Sequence, residues 1–104
     1  MAQFDVFRNP NEESREVIPY FLDVQAEIFE PLATHLVIPL VKKSAGMRLF
    51  GRLNPEAAIE GEKVFLSIPE LAGVPLCNLC EKVDNLSYLR AEIIAGIDFL
   101  VTGS

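Results

Sequence analysis

At 104 residues, half of them hydrophobic and 23% charged, the chain has material for one domain with one core over residues 1–104, and no room for a second. Nine basic against fifteen acidic side chains give a net charge of -6; with no basic cluster larger than Lys42 and Lys43, a phosphate backbone is repelled and direct nucleic-acid binding is not expected. The apolar runs are far shorter than the roughly 20 residues of a membrane span, and no basic stretch followed by an apolar one opens the chain, so a cytoplasmic protein without membrane contact is expected.

The first element is a strand, because Phe4 and Val6 alternate with Gln3 and Asp5 before Asn9, Pro10 and Asn11 interrupt the run. A second strand is expected at about 17–24. Pro19 cannot donate a ladder hydrogen bond and belongs at a strand start, a bulge or an edge. Beyond Glu30 and Pro31, the segment HLVIPLV at 35–41 reads as a third strand, apolar enough to be covered on both faces, with Pro39 implying a bulge or edge. In residues 42–55, Lys42, Lys43, Ser44 and Gly46 suggest a loop, whereas Met47, Leu49, Phe50 and Leu53 suit a helical turn ended by Asn54 and Pro55. Residues 57–59 and 63–68 flank Glu60, Gly61 and Glu62, a hairpin connection whose glycine can take positive φ. A turn at 69–73 then leads into a strand at 74–80.

Residues 86–101 read as an amphipathic helix. Leu89, Ile93, Ile97, Leu100 and Val101 recur at spacings of three and four, with Arg90, Glu92 and Asp98 outside that stripe. Ser87 is the expected N-cap, and Gly103 suits the left-handed turn that closes a helix. The tip of this helix is expected to face outward. Strands first and one helix last predict a mainly β protein with a C-terminal α-helix, as an antiparallel sheet or small SH3-like barrel with the helix packed on it. Gly96 inside the helix, with Ala91 and Ala95 nearby, calls for a close approach by something. The expected neighbour is a twin helix in a homodimer, with packing against the chain's own sheet as the alternative.

Catalytic chemistry is sparse. Cys77 and Cys80 form a lone C-x-x-C, but with no second pair and a single histidine, His35, four metal ligands are not assembled, and the cysteines read as small hydrophobes. His35 reads as a surface or strand-end residue. Asp23 with Glu27, and Glu60 with Glu62, read as solvated carboxylates of an acidic protein. No nucleophile is partnered with a base, and the glycines are too dispersed for a phosphate loop. The expectation is a protein without catalytic residues, metal or cofactor that works through a binding surface.

The ordered segments YFLDVQAEI (20–28), LVIPL (36–40), AIEGEKVFLSI (58–68), LAGVPL (71–76) and LSYLRAEIIAGIDFL (86–100) together resemble the CcdB family, toxins of plasmid and chromosomal toxin–antitoxin modules. The resemblance spans nearly the whole chain. It implies the CcdB/MazF-like toxin fold and a homodimer that enters the cavity of the DNA gyrase A subunit and traps gyrase on cleaved DNA. It also implies a CcdA-like antitoxin that neutralises the toxin with a disordered tail. By position, the resemblance assigns gyrase contacts to Ile28, Phe29 and Glu30 after LDVQ, and to Asp98, Val101, Thr102, Gly103 and Ser104 at the helix tip. Phe29 replaces an aliphatic residue. Thr102 and Ser104 stand where the best-known members carry Trp and Ile, so the aromatic anchor is missing. Two alternatives follow: an attenuated homologue that only binds antitoxin, and a MazF-like endoribonuclease, which would have only His35 as a histidine base.

Overall fold

A computed structural model describes residues 2–43 and 47–103; Ser44 and Gly46 of the expected loop, and the expected contact Ser104, lie outside the described residues. The strands are β1 (Asp5–Arg8), β2 (Tyr20–Asp23), β3 (Thr34–Val41), β4 (Glu56–Ile59), β5 (Glu62–Leu66), β6 (Ala72–Pro75) and β7 (Lys82–Asn85), followed by the helix α1 (Arg90–Thr102). Short 3₁₀ turns occupy Glu27–Phe29, Gly51–Leu53, Ile68–Glu70, Leu76–Asn78 and Ser87–Leu89. Every strand pairing is antiparallel, in the order β4-β5-β3-β2-β1-β7 with β6 also on β3, and the sheet curls into a nearly closed barrel carrying the C-terminal helix. The expected fold class is therefore the observed one. No helix among the described residues is long and apolar enough to cross a membrane.

β3 organises the sheet because it has partners on both sides. Its register with β2 runs unbroken from Tyr20↔Leu40 to Asp23↔Val37. On its other side β5 meets Leu40 and Val41, while β6 meets Thr34 through Val37. Pro39 thus lies in a central strand with no bulge against β2, contrary to the expectation. The Pro39 carbonyl accepts the Ser67 N–H at 2.9 Å, so its backbone edge faces the interval where β5 has ended and β6 has not begun. The missing proline N–H removes no ladder bond to β2. Pro19, by contrast, immediately precedes β2, as a strand-start proline should.

The β4–β5 hairpin forms where expected. Ile59 pairs with Glu62, and the two residues between them, Glu60 at φ 53° and Gly61 at φ 77°, make the tight turn that right-twisted strands prefer. Glycine takes that conformation freely and glutamate does not, so Glu60 is held there by partners described below.

Both faces of β1 and of most of β3 carry buried side chains. Val6, Leu22, Ile38, Leu40, Ile59, Val64 and Leu66 fill the barrel interior with Leu86 and Ile93. Phe7, Val37 and Leu79 form a second, smaller cluster with Phe21 and Val74 on the other face. Alternate residues of β1 and β3 therefore point into different cores, which accounts for the uninterrupted apolar run of HLVIPLV.

Three expected elements shift. The strand expected at 74–80 ends at Pro75; the chain turns through Leu76–Asn78 so that Leu79 can bury itself in the second cluster. β7, which the sequence does not announce, then pairs with β1 through Asp5↔Asn85 and Val6↔Asp84. The helix expected at 86–101 opens as a 3₁₀ turn and becomes α-helical only from Arg90. Ser87 does not cap it; the Asn85 side chain does the equivalent work, its Oδ1 accepting the Ser87 N–H at 2.8 Å. Gly103 closes the helix as expected, with φ 75° and its N–H donating to the Phe99 carbonyl at 2.8 Å.

Candidate partner-binding surface

The first group of expected contacts sits on the turn between β2 and β3. Ile28 is 80% exposed and Phe29 53% exposed, two adjacent apolar side chains on a three-residue turn. A polar frame sets the shape of this turn. The Gln25 amide donates to the Phe29 carbonyl at 2.9 Å and accepts the Leu36 N–H at 3.0 Å, tying the turn to the start of β3. The Gln25 N–H in turn donates to Asp23 Oδ1 at 2.9 Å. His35 completes the frame: Nδ1 lies 2.7 Å from Asp23 Oδ2 and Nε2 lies 2.9 Å from the Glu30 carbonyl.

Two expectations are corrected here. His35 is 2% exposed, not a surface or strand-end residue, and Asp23 is equally buried, not solvated. Each is tolerated inside because the other is its partner. Burial by itself would lower the His35 pKa, but the bonds to Asp23 and to the Glu30 carbonyl outweigh it and hold the ring above its ordinary 6.5.

The second group sits at the end of α1. Ile93 and Gly96 are buried and Leu89 and Ile97 half-buried, whereas Leu100 and Val101, expected in the same packed stripe, lie outside, Val101 at 76% exposure. The helix is apolar on more than one side, as the adjacent pairs Ile93–Ile94 and Leu100–Val101 already signal. Ile94, outside the expected stripe, lines a shallow groove of about 470 Å³ with Arg90, Ala91, Ala95 and Asp98. The Thr102 hydroxyl donates to the Asp98 carbonyl at 2.8 Å.

Gly96 finds its close neighbour within the chain. A methyl group there would meet the Ile68 side chain, and would stand 2.7 Å from the Arg52 carbonyl. The close approach at this residue is therefore made by the chain's own turns, rather than by the expected twin helix or by the sheet. The same turn adds a second contact, since the Arg52 guanidinium stacks 4.0 Å over the Phe99 ring. The principal packing contacts of α1 are with the turns at Gly51–Leu53, Ile68–Glu70 and Ser87–Leu89, whereas Glu27–Phe29 is framed by β2 and β3. Within one chain the two groups of expected contacts are thus built on different supports.

A separate polar cleft of about 540 Å³ is lined by Arg8, Arg15, Tyr20, Lys42, Glu60 and neighbours. Arg8 bridges Glu60 at 2.7 Å and Glu81 at 3.0 Å, and the Tyr20 hydroxyl donates to the same Glu60 oxygen at 3.0 Å. This network holds Glu60 in its positive-φ turn and links β1, β2 and the β4–β5 hairpin. Burial and the Glu60 bond push Tyr20 up to about 12. Its basic side chains are largely matched by acidic ones, so it stitches the barrel together and offers no charged pocket.

Among the described residues no group of three or more His, Cys, Asp or Glu side chains is placed to hold a metal ion. Cys77 and Cys80 are free and exposed, with the Cys80 thiol donating to the Cys77 carbonyl at 2.8 Å. His35 has both ring nitrogens engaged in the interior.

Compared with known families, residues 3–103 match the family described as CcdB protein. No curated protein matches the chain.

Proposed function

The chain belongs to the CcdB family, toxins of toxin–antitoxin modules, and from that premise we propose that it acts as a homodimer that binds the DNA gyrase A subunit and traps the cleaved-DNA complex until a CcdA-like antitoxin releases it. The work is done by binding, in the cytoplasm, with no bond made or broken by this chain. The observation that carries this reading is the exposure of large apolar side chains at both places the family resemblance names, Ile28 and Phe29 on one side and Val101 on the other. Exposed apolar residues on rigid turns and helix tips are the anchors from which compact interfaces are made. Glu30 and Asp98 add an acidic rim suited to a basic partner surface.

The test is pull-down of the gyrase A subunit by the full chain and by a chain ending after Val101, alongside growth and trapped-DNA assays on expression without antitoxin. Retention by the full chain, loss on truncation, growth arrest and covalently trapped DNA are expected. Normal growth with a good soluble yield and no retained gyrase would refute the proposal.

A second reading has one observation in its favour. The Thr102 hydroxyl turns back onto the helix at the Asp98 carbonyl, so this position presents no aromatic surface. In that reading the protein binds antitoxin but poisons gyrase weakly or not at all. Thr102→Trp combined with Ser104→Ile should then create killing, and failure of the pair to gain any gyrase binding would count against it. For the endoribonuclease alternative, His35 is a poor candidate base, because it is buried with both nitrogens occupied.

A further inference from the structure

Among the described residues His35 faces two acceptors and no donor. The Glu30 backbone oxygen can only accept, and an ionised Asp23 carboxylate can only accept, yet both lie within 2.9 Å of a ring nitrogen. A neutral imidazole has one N–H. It could satisfy one partner and would press a lone pair against the other in a site that is 2% exposed. The imidazolium satisfies both. Placing the second proton on the carboxylate instead would put it on the weaker base of the two kinds of group. The geometry therefore calls for a charged ring opposite a charged carboxylate.

The bond from Nε2 ends on the residue that closes the Glu27–Phe29 turn. From this we infer that His35 is a positioning residue: its doubly protonated ring pins the turn against β2 and β3, so that the Ile28–Phe29 projection keeps a fixed shape only while the ring carries both protons. The charged groups facing the ring are Asp23 on β2 and Glu30 at the end of the turn; Val74, its pairing partner on β6, carries none. The raised His35 pKa agrees with this arrangement. The inference deepens the proposed function by naming what presents one of its two contact groups. It rests on that reading only in taking Ile28 and Phe29 as contacts.

The experiment has two arms on the full chain. In the first, the ring nitrogens of His35 and the backbone amides of residues 26–30 are followed by NMR from about pH 5 to pH 10, either side of the free imidazole pKa of about 6.5. Expected are a doubly protonated ring at neutral pH and amides at 26–30 that move with the ring's own midpoint, while the amides of the β4–β5 hairpin do not. A neutral ring at pH 7, or amides indifferent to its midpoint, overturns the inference. In the second arm, binding to the DNA gyrase A subunit is measured for wild type and His35→Gln at each pH, and the ratio cancels any titration of gyrase itself. Below the midpoint the variant should bind about tenfold more weakly, the scale of one lost charge-assisted hydrogen bond, and above it the two should converge. A ratio constant with pH overturns the positioning role. Absence of gyrase binding by wild type at every pH refutes the proposed function instead, and the ring titration of the first arm still decides the clamp.

Discussion

Gly96→Ala sets two opposed effects against each other within one helix. Replacing a helical glycine with alanine ordinarily stabilises by about 1 kcal/mol, through lost freedom in the unfolded chain and better helix propensity. Here the added methyl collides with the Ile68 side chain, which is fully buried, and stands 2.7 Å from the Arg52 carbonyl, which is backbone and held in the Gly51–Leu53 turn. Forcing a methyl into a packed site costs about 1–3 kcal/mol, and two simultaneous clashes put this one at the upper end. The net expectation is destabilisation of about 1–2 kcal/mol, a fall in Tm of roughly 5–15 °C for a domain of this size. Thermal and urea unfolding at two protein concentrations measure it. Ile68→Val removes the Cδ1 atom; alone it should cost about 0.5–1.5 kcal/mol. In that background Gly96→Ala should hurt less, leaving the clash with the Arg52 carbonyl. A Gly96→Ala protein as stable as wild type would refute the packing explanation. Destabilisation that vanishes on dilution would place a second copy of α1 against Gly96 and restore the alternative.

Other substitutions separate what the structure uses from what the sequence suggested. Asn85→Ala should destabilise by about 1–3 kcal/mol, because Asn85 also donates to Asp5 Oδ1 at 2.9 Å in addition to capping Ser87, whereas Ser87→Ala should stay within about 0.5 kcal/mol; chemical denaturation distinguishes the two. Leu79→Ala should cost about 2–5 kcal/mol by emptying the second core cluster, while Cys77→Ser, at an exposed position, should leave the Tm within a degree or two. A His35 pKa raised in the folded state means that protonation favours folding: the contribution is complete below the unfolded value of about 6.5 and is lost as pH rises through the folded value. Melting curves taken upward from about pH 6 should therefore show wild type losing stability relative to His35→Gln. Parallel curves for the two proteins would contradict the sign.

Local chemistry determined much of this molecule from the sequence alone. The β4–β5 hairpin follows from Gly61 between two apolar runs, the end of α1 from Gly103, and the doubly covered β3 from an unbroken apolar segment. These features depend on residues within a few positions of one another, and the strand and helix periods report them directly. The resemblance of LDVQ, VIPL and the final helix to one family was legible for the same reason, as a pattern in chain order.

Only the tertiary structure decided where polar residues and backbone approaches end up. His35 reads as a surface residue because nothing beside it in sequence predicts that Asp23, from another strand, and the Glu30 carbonyl close on both its nitrogens. β7 has no local signal because its partner is β1, some eighty positions away at Asn85 to Asp5. Gly96 announced a close contact but not with what; the answer, a turn at Gly51–Leu53 and a buried Ile68, exists only once the helix has docked. Burial is a property of the assembled chain, and a periodicity shows which face of an element is apolar without showing which of two apolar faces the core will take. On α1 the core took Ile93 and Gly96 and left Val101 in water, and that choice gave the helix an exposed tip.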